Sequence, residues 1–266
     1  MKINHYIQAN RESWNQVASL HAKAKEEQKK RFMNAGYSCL DQTVTSKLKS
    51  INITGRRVAH LCCNDGMETL SLKNLGASAC TGFDFSDKAI QYALQLATQS
   101  GISCRFVQAN IYEIDECYDN QFDLVYISSV SLMWFPDLSL FFQTVHRLLA
   151  PDGIVMIYDI HPLLLLLDEK DKVNPLTLKY DYFLDEPRVF QDGLDYVSQT
   201  TYTSTSYYNF DPTLSQIMSA IIQNQLSIHM FEEYPHDISA LFAHLANQNV
   251  QIPASYLLTA QKTGLS

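Results

Sequence analysis

From residue 58 to residue 160 the chain repeats one pattern: a short apolar run, a turn, then a stretch with helical spacing. The runs Val58–Cys62, Cys80–Asp84, Ser103–Ala109, Phe122–Ser128 and Ile154–Ile160 are apolar with little alternation, as in strands buried on both faces. Between them, Met67–Leu75 reads as a helix stopped by Gly76. Ser86 can cap a helix whose inner face is Ala89, Ile90, Ala93, Leu94 and Ala97, ending at Gly101. Asp137 can open another, with Leu138, Phe141, Phe142, Val145 and Leu149 inward, and "APDG", Ala150 to Gly153, reads as a turn. Strand and helix in strict alternation require parallel strands joined by right-handed crossovers. The predicted fold is therefore α/β, a doubly wound and mostly parallel sheet. Its ligands belong beyond the carboxyl ends of the strands, where the winding reverses.

The flanks follow other rules. Residues 5–31 and Asp41–Ser50 read as helices. After the fifth strand, residues 161–210 carry Pro162, Pro175, Pro187 and many tyrosines and phenylalanines, and do not form another strand–helix unit. Residues 212–225 look helical, and Leu226–Glu233 and Ala254–Gln261 look like strands joined by a helical segment around Ile238–Ala246. The predicted organisation is residues 1–50 as an N-terminal helical lid and 51–266 as the main domain, with 161–210 inserted as a substrate cap.

Composition excludes several classes. A net charge of -8 argues against broad nucleic-acid or anionic-membrane binding. Lys29-Lys30-Arg31 follows Glu26-Glu27 and reads as a solvated helix face. No secretory signal is visible, and the leucine run from Leu163 to Leu167 is too short to span a bilayer. The cysteines at 39, 62, 63, 80, 104 and 117 form no Cys-x-x-Cys motif, which suits buried reduced thiols and a cytoplasmic protein. Cys62 and Cys63 point to opposite faces of a strand and have no companion pair, so no metal is expected.

Four features line up at strand ends: the turn "HLCCNDGMETLSL" with Gly66, then Asp84, then Asn110, then Ser128 and Ser129. Singly, each could cap a helix or satisfy a turn. In order and in separate units they suit an adenosine ligand. A carboxylate can accept from both ribose hydroxyls, and an amide beside apolar Ile111 suits an adenine edge and face.

On "VAHLCCNDGMETLSL", "GASACTGFDFSDKAIQYA", "FVQANIYEI", "FDLVYISSVSLMWFPDL" and "LLAPDGIVMIYDIHP" the chain resembles the class I S-adenosylmethionine-dependent methyltransferases, most closely a bacterial branch acting on small molecules. The resemblance covers residues 50–160 well. It implies a seven-stranded Rossmann-like sheet with an antiparallel last strand, and S-adenosyl-L-methionine as methyl donor, leaving as S-adenosyl-L-homocysteine. It places His60, Cys62, Asn64 and Gly66 beside the methionine part, Asp84 on the ribose with Phe85 by the adenosine, Asn110 and Ile111 on the adenine, and Ser128 under the sulfonium. The usual family loop has an acidic residue followed by three alternating glycines; here those places hold His60, Cys62, Asn64 and Gly66.

A nicotinamide-dependent oxidoreductase would need glycines to bring amides to a pyrophosphate, and Asp65 and Glu68 would repel one. A cofactor without phosphate tolerates that acidic rim. A catalytically degenerate cofactor-binding or scaffold protein is the other alternative. Methyl transfer is an in-line displacement for which positioning suffices. Where a base helps, His161 is the first candidate and Asp159 the second; reading His161 as a turn residue before Pro162 is slightly favoured over that role. Trp14 and His21 either close over the cofactor or pack on the sheet. The acceptor is expected to be small and partly apolar, walled by Ser131–Phe135 and by Tyr180, Tyr182, Phe183, Tyr196, Tyr207, Tyr208 and Phe210. The oligomeric state stays open, a homodimer among the options.

Overall fold

The computed structural model describes residues 2–195, 197 and 202–263. Two helices, α1 (Lys2–Ala24) and α2 (Glu26–Lys30), precede α3 (Gln42–Ser50), whose N-cap is Asp41. Then come β1 (Arg57–Leu61), α4 (Met67–Asn74), β2 (Ala79–Asp84), α5 (Asp87–Ser100), β3 (Arg105–Gln108), β4 (Phe122–Ser128), α6 (Leu138–Leu148) and β5 (Leu149–Ile160). A small hairpin of β6 (Arg188–Phe190) and β7 (Tyr207–Asn209) leads to α7 (Leu214–Gln223), β8 (Leu226–Tyr234) and β9 (Ser255–Lys262).

The main sheet has the order β3-β2-β1-β4-β5-β9-β8. The first five strands run parallel, and β9 runs antiparallel to both β5 and β8. Winding reverses between β1 and β4, so the ends of these two strands open the crevice. Alternate residues of each strand serve opposite layers. Ala59, Leu61, Val125 and Ile127 pack with Phe141, Phe142 and Val145 of α6 and Ile217 and Ile221 of α7. Val58, Leu124, Tyr126 and Met156 pack with Val44 and Leu48 of α3 and Leu72 of α4. Both faces are covered, which is why the strands show no polar alternation. Each fully buried Phe or Leu contributes about 1.5–3 kcal/mol relative to exposure.

Ser86 and Asp137 cap α5 and α6 as expected, accepting from Ala89 N at 3.0 Å and Leu140 N at 2.9 Å. Two local expectations change. "APDG" is not a free turn before β5 but a bulge within its entry, because pairing jumps from Phe122↔Leu149 to Leu124↔Ile154. A Cβ on Gly153 would lie 2.8 Å from the Ala150 carbonyl oxygen, so glycine is required there. The expected helix around 238–246 shrinks to a single 3₁₀ turn, Ala243–Asn247. Asp237 takes the amides of Ser239 at 2.8 Å and Phe242 at 2.9 Å, and Ala240 turns left-handed (φ 65), which interrupts a helix. Among the described residues no helix is long and apolar enough to cross a membrane.

Helix α1 lies over the crevice side of the sheet. Asn15 receives the Ser86 hydroxyl at 2.6 Å and donates to Asp87 at 2.7 Å, fixing α1 to the start of α5. On its other side Asn10 accepts from Tyr208 N at 2.7 Å and donates to the Tyr208 carbonyl at 3.0 Å, fixing α1 to β7.

Candidate active site

The loop after β1 has an unusual backbone. Cys62 (φ 59), Asn64 (φ 47) and Gly66 (φ 78) are all left-handed, at alternate positions. Only Gly66 adopts this without cost; Asn tolerates it, and Cys62 carries about 1–2 kcal/mol of strain. Bonds to the end of β2 hold the loop, with Cys63 N donating to the Phe83 carbonyl at 3.0 Å and Asn64 N to Asp84 Oδ2 at 2.8 Å. Gly66 is required by packing as well, since a Cβ would sit 2.7 Å from the Phe106 ring and 2.8 Å from Ala93. The Cys63 sulfur fills the space above Gly82, where a Cβ would meet it at 2.7 Å. Burial pushes both thiols well above their ordinary pKa, so both stay protonated fillers. Among the described residues no group of three His, Cys, Asp or Glu side chains could hold a metal ion.

Asp84 ends β2 almost fully buried. Its second oxygen accepts from Ser86 N at 2.9 Å. Burial raises its pKa to about 6 against the pull of the Ser86 and Asn64 amides. His60, also buried, bridges α4 and β4, with Nδ1 2.8 Å from the Thr69 hydroxyl and Nε2 3.1 Å from the Ser128 hydroxyl. Burial lowers its pKa to about 3, so the ring is neutral, with one nitrogen donating and one accepting. Asn110 caps a short 3₁₀ turn at Ile111–Glu113 by accepting from Tyr112 N at 3.3 Å.

These residues share one cavity of about 980 Å³. Of the sequence candidates, Trp14, His60, Cys62, Asn64, Asp84, Phe85, Asn110, Ile111 and Ser128 line it. Gly66, His21, Asp159 and His161 do not. Gly66 turns the loop from behind. His21 ties α1 to the insert, with Nε2 3.2 Å from the Leu194 carbonyl and 3.6 Å from Asp195; its pKa falls to about 4, burial leading.

Asp159 is committed elsewhere. It accepts from Val130 N, Ile160 N at 2.8 Å, and Ser131 N and Leu132 N at 3.2 Å each. Those bonds hold Val130 left-handed (φ 62), a costly state for a β-branched residue. His161 caps the 3₁₀ turn Pro162–Leu166, its Nδ1 accepting from Leu163 N at 3.1 Å, and its Nε2 lies 3.1 Å from Glu233. Both are thus tied to backbone amides, and of this stretch only Ile160 between them lines the cavity.

The aromatic wall is also redistributed. Tyr180 and Tyr207 line the cavity, joined by Trp134, Phe135 and Phe190. Trp14 and Trp134 meet edge to face at 5.3 Å, and Phe190 stacks on Tyr207 at 5.3 Å. Tyr182 instead holds Leu214 N at 3.0 Å, Phe183 is 79% exposed, and Tyr208 and Phe210 pack on Tyr6. Tyr196 lies outside the described residues. Among the cavity residues left without a role by the sequence are Glu68 and His244. Glu68 was visible as part of an acidic rim without a role. His244, whose Nε2 is buried without a hydrogen-bond partner, gave no signal because the β8–β9 connection folds back over the crevice.

Comparisons with known proteins follow the same lines. A family described as methyltransferase domain matches residues 59–157. No curated protein matches by sequence. Among solved structures, an S-adenosylmethionine-dependent methyltransferase from Mesorhizobium loti is 22% identical, with 81% of this chain and 96% of that one covered at a TM-score of 0.59. The 1,6-didemethyltoxoflavin-N1-methyltransferase of Burkholderia thailandensis, solved with S-adenosylhomocysteine, is 16% identical, with coverage of 98% and 91% and a TM-score of 0.58. The geranyl diphosphate C-methyltransferase of Streptomyces coelicolor A3(2) is 13% identical, with coverage of 84% and 79% and a TM-score of 0.55. At these identities the structures share the fold. The family match runs across β1 to β5, so that residues 59–157 are similar to a methyltransferase domain.

Proposed function

We propose that the chain transfers a methyl group from S-adenosylmethionine to a small, partly apolar acceptor. The observation that carries this reading is the convergence of Asp84, Phe85, Asn110, Ile111 and Ser128 with the left-handed loop on one cavity at the winding reversal. Asp84 would hold the ribose hydroxyls, since a carboxylate has acceptor capacity beyond its two amide bonds. Asn110 and Ile111 would flank the adenine. The loop's left-handed turns supply the backbone shape for which the family uses glycines, which favours retained cofactor binding over a degenerate scaffold.

When bound, the cofactor supplies an already activated methyl group. The chain's own task is to orient the acceptor and exclude water. A cavity of about 980 Å³ has room for cofactor and a small molecule together, at the top of the usual range of roughly 300–1,000 Å³. Trp14, Trp134, Phe190, Tyr207, Leu165 and Leu167 give the acceptor side its apolar wall. Residues 161–210, with α1, form the cap that contributes much of that wall. Where the acceptor must lose a proton, we assign its acceptance to His244 in place of His161.

Titration with S-adenosylmethionine and S-adenosylhomocysteine tests the reading directly; binding of neither at millimolar concentration refutes it. A screen of small hydroxyl, amine, thiol and carbon-acid acceptors, read by homocysteine release, then identifies the substrate.

A further inference from the structure

Three carboxylates surround the first loop, and two are held by ammonium groups or backbone amides of the protein. Asp65 lies 3.1 Å from Lys29 Nζ and 3.7 Å from Lys25 Nζ. Burial raises its pKa, but these two ammonium groups bring it below the ordinary value. Asp84 is held by two backbone amides.

Glu68, in the first turn of α4, differs. A third of its side chain is exposed, and it lines the cavity; the Ser128 and Tyr126 hydroxyls lie beside the carboxyl, yet Oε2 itself is buried without a hydrogen bond of good geometry. The nearest ionisable nitrogen is His60 Nε2 at 3.9 Å, on a ring that is neutral and already engaged with Ser128. Burial raises the Glu68 pKa, and the facing Ser128 and Tyr126 hydroxyls and Lys25 pull it back. A buried carboxylate oxygen without a donor is costly to keep. The cavity is the side from which a donor can arrive. Lys25 lines the same end and brings the opposite charge. A negative and a positive group at one end of a pocket suit a zwitterion.

Resting on the function proposed above, we infer that Glu68 anchors the α-ammonium of the cofactor's amino-acid end, with Lys25 facing its carboxylate. The ammonium fits better than the sulfonium because it carries N–H donors for Oε2, and a sulfonium carries none. The loop has lost its usual acidic residue to His60, and the carboxylate is supplied eight positions later, from α4, beside the same histidine.

The test uses calorimetric titration of the full chain and of Glu68→Gln with three ligands. S-adenosylmethionine has both cations, S-adenosylhomocysteine keeps only the ammonium, and methylthioadenosine lacks the amino-acid end. The expected result is a loss of about 10–100-fold for the first two and no loss beyond about twofold for methylthioadenosine. An equal loss for all three means that Glu68 only shapes the loop, and overturns the inference. A loss confined to S-adenosylmethionine points to the sulfonium and overturns it too, as does no loss at all. If the Gln variant does not fold, Glu68→Ala read with the same ligands serves instead. Wild-type protein that binds none of the three refutes the methyltransferase reading itself.

Discussion

Replacing Asp84 by Asn separates its work in the fold from its work on the ligand. The carboxylate is 7% exposed, takes amides at 2.8 and 2.9 Å, and has its pKa raised from 3.8 to about 6. The folded protein therefore holds this proton more tightly than the unfolded chain. That stabilising contribution is complete below about pH 3.8 and lost above about pH 6, a difference of about 3 kcal/mol at pH 7. A neutral Asn avoids the cost of the buried charge. It leaves one amide without an acceptor, at about 1–3 kcal/mol. The two effects nearly cancel, so the variant should melt within a few degrees of wild type, at about 2–4 °C per kcal/mol. Binding has no such compensation. Ribose hydroxyls that lose a charged acceptor forfeit about 1.5–3 kcal/mol, so S-adenosylhomocysteine should bind roughly 10–100-fold more weakly. Wild-type affinity should also fall from pH 7 to pH 5, where about nine-tenths of Asp84 is protonated, and the Asn variant should lose most of that slope. Calorimetry at pH 5, 6 and 7 measures both. A variant with the wild-type dissociation constant, or with the wild-type pH slope, refutes the assignment.

Asp159→Ala strands four backbone amides and should cost about 3–5 kcal/mol in chemical denaturation; an unchanged midpoint would mean that Val130 is held left-handed by something else. His161→Ala should lose a cap worth about 1 kcal/mol and keep methyl transfer to any acceptor found in the screen, so loss of activity in a folded variant would restore it as a base. EDTA should leave S-adenosylhomocysteine affinity unchanged; a loss reversed by one metal would expose a site built without a cluster of His, Cys, Asp or Glu.

The strands were legible in the sequence because a sheet covered on both faces needs unbroken apolar runs. The caps at Ser86 and Asp137 were legible because a side-chain oxygen before a helix has one common use. The cofactor candidates at strand ends mostly reached the cavity, since a strand's end fixes position to within a residue. Direction was harder. Asp159 and His161 lie at the right edge but are committed to backbone amides outside the cavity lining, which composition does not reveal. His244 depended on how a connection between β8 and β9 folds, and Ala240 and Asp237 settle that through local geometry.

The loop after β1 bears on how such sites are found. A search keyed to glycine letters passes over Cys62 and Asn64, whereas one keyed to three alternate positive φ angles stops at this loop. The shape here is enforced by hydrogen bonds from β2 and by packing on Phe106, so the information that specifies the turn is spread over distant segments. Relatives whose loops have drifted from glycine are better recognised by that scaffold than by the letters of the loop.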